Sequence, residues 1–233
     1  MSLPRVLVVT TTYYKKDYAF KTFIKHAKAL SYPNFDHVFI DNSHDTRYAN
    51  RLRRRGVKCF HVERGNNTRE AIARSCNFGR KLALKGGYDY MFMLESDVYP
   101  PHDIIQQLMI QGKDVITGLY YIGDREKGQR VPCVTVEKWN EQLLCWGTRL
   151  LRQDEFDDWI NKGVKQCQAG SFGCCLISKN ILEKFPFYYC PELSGHPDIY
   201  FFNELKNKKR QVFIHTDIIC EHENTPWKNV EDR

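Results

Sequence analysis

The run Tyr90-Met-Phe-Met-Leu94 is followed by Glu95, Ser96 and Asp97, and two prolines close the stretch at 100 and 101. Five consecutive apolar or aromatic residues read as a strand buried on both faces. In a parallel α/β sheet, ligands gather beyond the carboxyl ends of such strands. Glu95 and Asp97 stand at that end. If the backbone stays extended, residues two apart point to one side, so both carboxylates face one ligand. The plainer reading is that they solvate a strand end or cap the next helix. Other residues able to do chemistry are Asp198, in the first turn of a helical stretch, and His222, within Cys-Glu-His-Glu at the end of the last strand-like segment. Arg74 and Asn77 lie three apart on one helix and can face one way; a guanidinium suits a phosphate or a base edge.

The elements that must position these residues follow in order along the chain. Residues 5–13 read as a strand, 17–30 as an amphipathic helix, 37–43 as a strand, 45–55 as a helix and 57–63 as a strand. Thr68 is a candidate cap for a helix that ends at Gly86-Gly87, before the strand 90–94. Pro100-Pro101 opens a helix, 114–121 is a strand, 131–147 alternates like an antiparallel hairpin, and a short helix is expected within 154–161. Residues 169–178 read as a glycine-bearing strand, followed by a short helix at 179–185. A helix entered through Pro197 and a last strand at 211–223 complete the chain, and the tail from 223 is expected to be less ordered. Strands alternate with helices at the front, and the rear is mixed. The expectation is an α/β domain with a mostly parallel central sheet flanked by helices and a small antiparallel hairpin in the second half. One domain over 1–233 is the economical division, with 1–97 as a nucleotide-binding half and 98–222 as the acceptor side.

The composition narrows the classes. With 42% hydrophobic and 13% aromatic residues there is enough to form a core, which excludes global disorder. No apolar run approaches the length of a membrane span, and the start lacks the pattern of a signal peptide, so the expected location is cytoplasmic. The nine cysteines are odd in number and include no CxxC pair, which argues against a zinc ribbon or a thioredoxin-type site and for reduced, mostly buried thiols. The net charge of +7 is partly concentrated in 51–58 and 206–210. Such clusters bind anions, at a nucleic acid or a membrane surface, or are solvated helix ends.

The order of these segments resembles the GT-A-fold glycosyltransferases, especially the small, family-2-like, nucleotide-sugar-dependent ones. The resemblance covers residues 5–222 and rests on VLVVTTTYYKK, HVFIDNS, REAIARSCNFGRKLALKGGYDYMFMLESD, DVITGLYY, AGSFGCCLIS and HPDIYFFNELKNKKRQVFIHTDIICEH. It implies a UDP- or GDP-sugar donor, a Mn²⁺ or Mg²⁺ ion, and a hydroxyl acceptor on a glycan, a lipid-linked glycan or a protein. It further implies that Thr11, Thr12, Tyr13 and Asp41 grip the base and ribose, with Arg74 and Asn77 nearby. Asp97 is the expected metal ligand with His222, and Glu95 either joins them or contacts the ribose. Ser96, Gly118 and Gly173 would lie along the sugar nucleotide, although glycines at such places also serve as bulges. A hard divalent ion with oxygen ligands neutralises the diphosphate leaving group, which accounts for the acids.

Asp198 is the implied catalytic base of an inverting transfer, and equally reads as a first-turn carboxylate favoured by the helix dipole. Related proteins carry Glu-Asp at this helix start, whereas here Pro197 precedes Asp198. Glu192 and His196 are candidates for the missing acceptor contact, with Trp146 as a stacking surface. Two rival classes remain: a sugar-phosphate nucleotidyltransferase, disfavoured because TTTYYKK has no glycine-rich basic loop, and a non-catalytic nucleic-acid- or glycan-binding protein. The ordered acids make nucleic acid the less economical partner; peripheral membrane contact through the basic clusters stays open.

Overall fold

The computed structural model describes residues 2–124, 129–140, 145–192 and 195–223. In the first half the elements are β1 (Val6–Thr12), a 3₁₀ turn (Tyr14–Lys16), α1 (Phe20–Lys28), β2 (Phe35–Asp41), α2 (Arg47–Arg54), β3 (Cys59–His61), α3 (Thr68–Lys85), β4 (Tyr90–Leu94) and β5 (Val98–Tyr99). Then come α4 (Ile104–Met109), β6 (Val115–Leu119), β7 (Tyr121–Asp124), β8 (Gln129–Pro132), β9 (Thr135–Asn140) and β10 (Cys145–Leu150). A second 3₁₀ turn (Gln153–Glu155), α5 (Phe156–Trp159), β11 (Val164–Cys167), β12 (Cys174–Ser178), α6 (Lys179–Lys184), α7 (Pro197–Asn207), β13 (Val212–Ile219) and β14 (Glu221–His222) follow.

Eight strands form the central sheet in the order β11-β13-β6-β12-β4-β1-β2-β3. β3, β2, β1 and β4 are parallel neighbours, and β6 and β13 are parallel to each other. β12 pairs antiparallel with both β4 and β6, so those two run the same way on either side of it. The sheet is thus mostly parallel, as expected, and its parallel strands release their carboxyl ends along one edge. Alternate side chains along each strand supply two hydrophobic layers. Val9, Ile40, Met93 and Ile177 pack with α3, α6 and α7, while Val8, Phe39, Phe92 and Leu176 pack with α1, α2 and α4.

Several expectations are corrected. The acidic segment is not extended: β4 ends at Leu94, and the Val98 N–H donates to the Glu95 carbonyl at 3.1 Å, closing a turn. Residues 95 and 97 therefore do not share one side by strand alternation. The cap of α3 is Asn67, whose side chain accepts the Glu70 N–H at 3.0 Å, while the Glu70 carboxylate accepts the Asn66 N–H. The cap therefore sits one residue before Thr68, which becomes the first residue of the helix itself. The expected hairpin is present as β9–β10, and among the described residues a second one, β7–β8, precedes it. Residues 169–173 form a loop that leads into β12, because Ala169 pairs as an isolated bridge with Thr135 rather than joining the sheet. From residue 224 the expected tail lies outside the described residues.

Candidate functional site

The carboxyl edge of the sheet brings the two ends of the sequence motif together. β13 runs parallel to β6, and the chain then turns into β14, which pairs antiparallel with β5. His222 sits opposite Val98, and the Glu223 N–H donates to the Asp97 carbonyl at 2.9 Å. This two-strand clip fixes His222 beside Asp97. Its Nε2 lies 3.8 Å from Asp97 Oδ2, an ion-pair distance too long for a hydrogen bond, while Nδ1 is 3.0 Å from the Tyr121 carbonyl. The loop after β1 closes over the same carboxylate: Lys16 Nζ is ion-paired with Asp97 Oδ2, and the Tyr18 hydroxyl donates to that oxygen at 3.0 Å.

The electrostatics follow from this crowding. Burial alone would raise Asp97, but the His222 imidazole and the Lys16 ammonium outweigh it and hold the carboxyl well below the usual range. For His222, burial lowers the pKa, yet Asp97 and the Tyr121 carbonyl prevail and raise it. Glu95 is raised by burial; Lys16 opposes the rise, and the charges of Asp97 and Asp198 add to it. The Glu95 N–H is tied to the Gly173 carbonyl at 3.1 Å.

Asp198 enters this region from α7. Pro197 occupies the first turn, where a missing N–H costs nothing, and Asp198 Oδ1 accepts the Ile199 N–H at 2.8 Å. Burial raises the Asp198 pKa, against the opposing His196 charge. The helix is held by an aromatic cluster: Phe187 stacks on Phe201 at 4.7 Å between centroids, and Phe172 packs on Phe187, Phe201 and Phe202 at 5.2–5.6 Å. Asn77 anchors that cluster, donating to the Phe187 carbonyl at 2.6 Å and accepting the Phe187 N–H at 3.0 Å. Among the buried side-chain atoms without a hydrogen-bond partner are Ser96 Oγ and Asp97 Oδ1 in the acidic turn and Tyr200 Oη, two residues after Asp198; others lie elsewhere, at His61, Thr117, Gln168 and His215. Native structures rarely leave such atoms orphaned unless a ligand or water meets them.

The remaining predicted residues are placed as follows. Thr11 and Thr12 end β1, with Tyr13 just beyond. Asp41 is fully buried at the end of β2; it accepts the Ser43 N–H at 2.9 Å, the Ser43 hydroxyl and the Ala49 N–H at 3.0 Å. It therefore holds the loop into α2. Arg74 is ion-paired with Glu70 and Glu63 at 2.7 and 3.3 Å. A Cβ on Gly173 would meet the Tyr120 ring at 2.6 Å and its hydroxyl closer still, and one on Gly118 would meet Cys174 Sγ at 2.8 Å, so both glycines admit close protein packing. Glu192 and His196 are exposed before α7. Trp146 lies on β10, with its side chain outside the described residues.

Sequence reasoning missed two cations. Lys16 belongs to the quoted TTTYYKK segment, but its partner lies 81 residues away. Arg64 is buried at 7% exposure, set over the Tyr13 ring at 5.3 Å and donating to Thr68 Oγ1 at 2.8 Å. The signal available for it was an arginine placed directly after a strand. Beside this loop a cleft of about 580 Å³ opens, lined by Tyr14 and Ser43 and by Arg47, Tyr48, Arg51 and Arg54 of α2. Asp97 and Asp198 do not line it.

Among the described residues, no three His, Cys, Asp or Glu side chains are grouped as a ready metal site. A two-residue donor set does fit a divalent ion. Asp97 Oδ1 is buried and unpartnered, and His222 Nε2 faces the same carboxylate with its other nitrogen at a carbonyl, the usual support of a ligating imidazole. Mg²⁺-like ions commonly take one or two protein ligands and complete their shell with phosphates and water.

No family model matches the chain, and no curated protein matches its sequence. Solved structures do match its fold. GalNAc-T7 in complex with UDP, GalNAc and Mn²⁺ aligns over 99% of this chain and 46% of its own, with a TM-score of 0.62 and 12% identity. The mannosyltransferase PcManGT from Pyrobaculum calidifontis, in complex with GDP-Man and Mn²⁺, aligns over 98% and 59%, with a TM-score of 0.57 and 15% identity. A197 from STIV aligns over 95% and 86%, with a TM-score of 0.53 and 17% identity. The chain thus spans roughly half the length of the first two. Its fold is that of the GT-A glycosyltransferases.

Proposed function

We propose that this protein transfers a sugar from a nucleoside diphosphate sugar to a hydroxyl of a glycan, a lipid-linked glycan or a protein. The observation that supports it most is the buried Asp97 carboxylate, with one oxygen unpartnered and His222 beside it, at the carboxyl edge of a GT-A-like sheet. Asp97 and His222 would hold a Mn²⁺ or Mg²⁺ ion, which when bound supplies positive charge to the departing diphosphate. Tyr13, backed by Arg64, offers a ring face to the base. The Ser96 hydroxyl, buried beside Asp97 in the chain, has no hydrogen-bond partner within the protein.

Asp198 is the base. The acceptor oxygen attacks the anomeric carbon opposite the diphosphate, the new C–O bond forms as the bond to phosphate breaks, and the electron pair leaves with the diphosphate. The hydroxyl proton passes to the Asp198 carboxylate. A raised pKa brings this carboxyl nearer the working pH and makes it the stronger base. Attack from the opposite face inverts the anomeric centre. Titration of UDP and GDP by calorimetry tests the donor site. One nucleotide should bind with Mn²⁺, and binding should be lost in EDTA and in Asp97→Ala. Binding of neither nucleotide by the wild-type protein under any condition would refute the proposal.

A further inference from the structure

The cation seat has a cation of the chain's own against it. Lys16 ends the 3₁₀ turn after β1, and its ammonium is paired with Asp97 Oδ2, the oxygen that His222 Nε2 faces at 3.8 Å. The Lys16 side chain is 15% exposed and that of Asp97 2%, so solvent and salt screen the pair weakly. The neighbouring residue is pinned: Asp17 pairs with Arg51 at 3.3 Å and Arg55 at 2.8 Å. The backbone of this loop is thereby anchored to α2, while the four-carbon stem of Lys16 keeps its rotatable bonds. A divalent ion reaching Asp97 meets an ammonium on the same carboxylate, and like charges at that range repel.

We propose that Lys16 is a donor-site cation that occupies Asp97 while no donor is bound and turns to the donor's diphosphate when a divalent ion takes the carboxylate. This rests on the nucleotide-sugar reading above. An ammonium is a compact point charge suited to phosphate oxygens. Its departure from Asp97 removes the repulsion and gives the diphosphate a second positive contact. Divalent ion and nucleotide therefore assist each other's binding, and by linkage to the same extent.

Mn²⁺ binding, followed by the electron paramagnetic resonance of the free ion, tests this on the wild-type protein, Lys16→Met, Lys16→Gln and Asp97→Asn, each alone and with UDP or GDP. Without nucleotide, both Lys16 variants should bind Mn²⁺ about tenfold more tightly than wild type, a usual size for coupling between two ligands. Nucleotide should tighten Mn²⁺ binding in wild type and do so distinctly less in the Lys16 variants. Circular dichroism spectra matching wild type establish that the variants are folded. If folded Lys16 variants bind Mn²⁺ no more tightly than wild type while Asp97-dependent nucleotide binding persists, the role of Lys16 is overturned and the donor site stands. Absence of both Mn²⁺ and nucleotide binding in the wild-type protein and every variant would overturn the two together.

Discussion

Asp97 and Asp198 are both carboxylates, and their surroundings push them in opposite directions. Cationic neighbours keep Asp97 ionised far into acid, which suits a ligand, whereas burial lifts Asp198, which suits a base. The sign of the resulting pH dependence is fixed. As the base of the proposed transfer, Asp198 would accept a proton only when ionised, so transfer should rise with pH through a value above that of an ordinary aspartate and then level off. Asp198→Asn should lose roughly 10²–10⁴-fold in transfer and keep nucleotide affinity. A carboxyl raised in the folded state contributes stability below its unfolded pKa and loses it as pH rises through the folded value. Asp198→Asn should therefore be no less stable than wild type at neutral pH. Full transfer activity in this variant would remove Asp198 from the chemistry.

Among the elements, α7 depends on a clamp that lies outside it. Asn77 of α3 pairs with both backbone groups of Phe187, and Phe187 stacks on Phe201 of α7. Truncating Asn77 leaves a part-buried N–H and C=O without partners, which costs about 1–3 kcal/mol for such groups. Asn77→Ala should lower the midpoint of urea unfolding accordingly, without the loss of Mn²⁺-dependent nucleotide binding expected of Asp97→Ala. An unchanged midpoint would show the clamp to be idle. The existence and order of these elements were readable from hydrophobic periodicity, because burial imposes the same period wherever it occurs. The partner of Asn77 was not, since residues 110 apart leave no periodic trace of their contact.

In the molecule as a whole, a single sheet of eight strands carries both hydrophobic layers from β11 to β3. The layers share the same strands, so loss of one half exposes the other. Calorimetric unfolding should show one cooperative transition with equal calorimetric and van't Hoff enthalpies, whereas two resolved transitions would divide the chain. The described cysteines are free, and burial pushes thiols such as Cys59, Cys133 and Cys167 up to about 12. Those three are protonated at neutral pH and react slowly. Among the described residues, no helix is long and apolar enough to cross a membrane. The basic cluster at 51–58 resolves into ion pairs with Asp17 and an arginine face of α2 beside the cleft.

The sequence by itself determined the α/β alternation, the burial of β4 and the placing of acids and a histidine at strand ends, because these depend on residue type and local period. Tertiary structure decided which of them meet. The turn from Glu95 to Val98 replaces the strand alternation that would have aligned the two acids, and the β5–β14 clip brings His222 to Asp97 across 125 residues. Lys16 reaches Asp97 only because β1 and β4 are parallel neighbours whose ends share one edge. Charge pairing of this kind is set by the order of strands in the sheet, and strand order arises from long-range packing that a linear pattern does not encode.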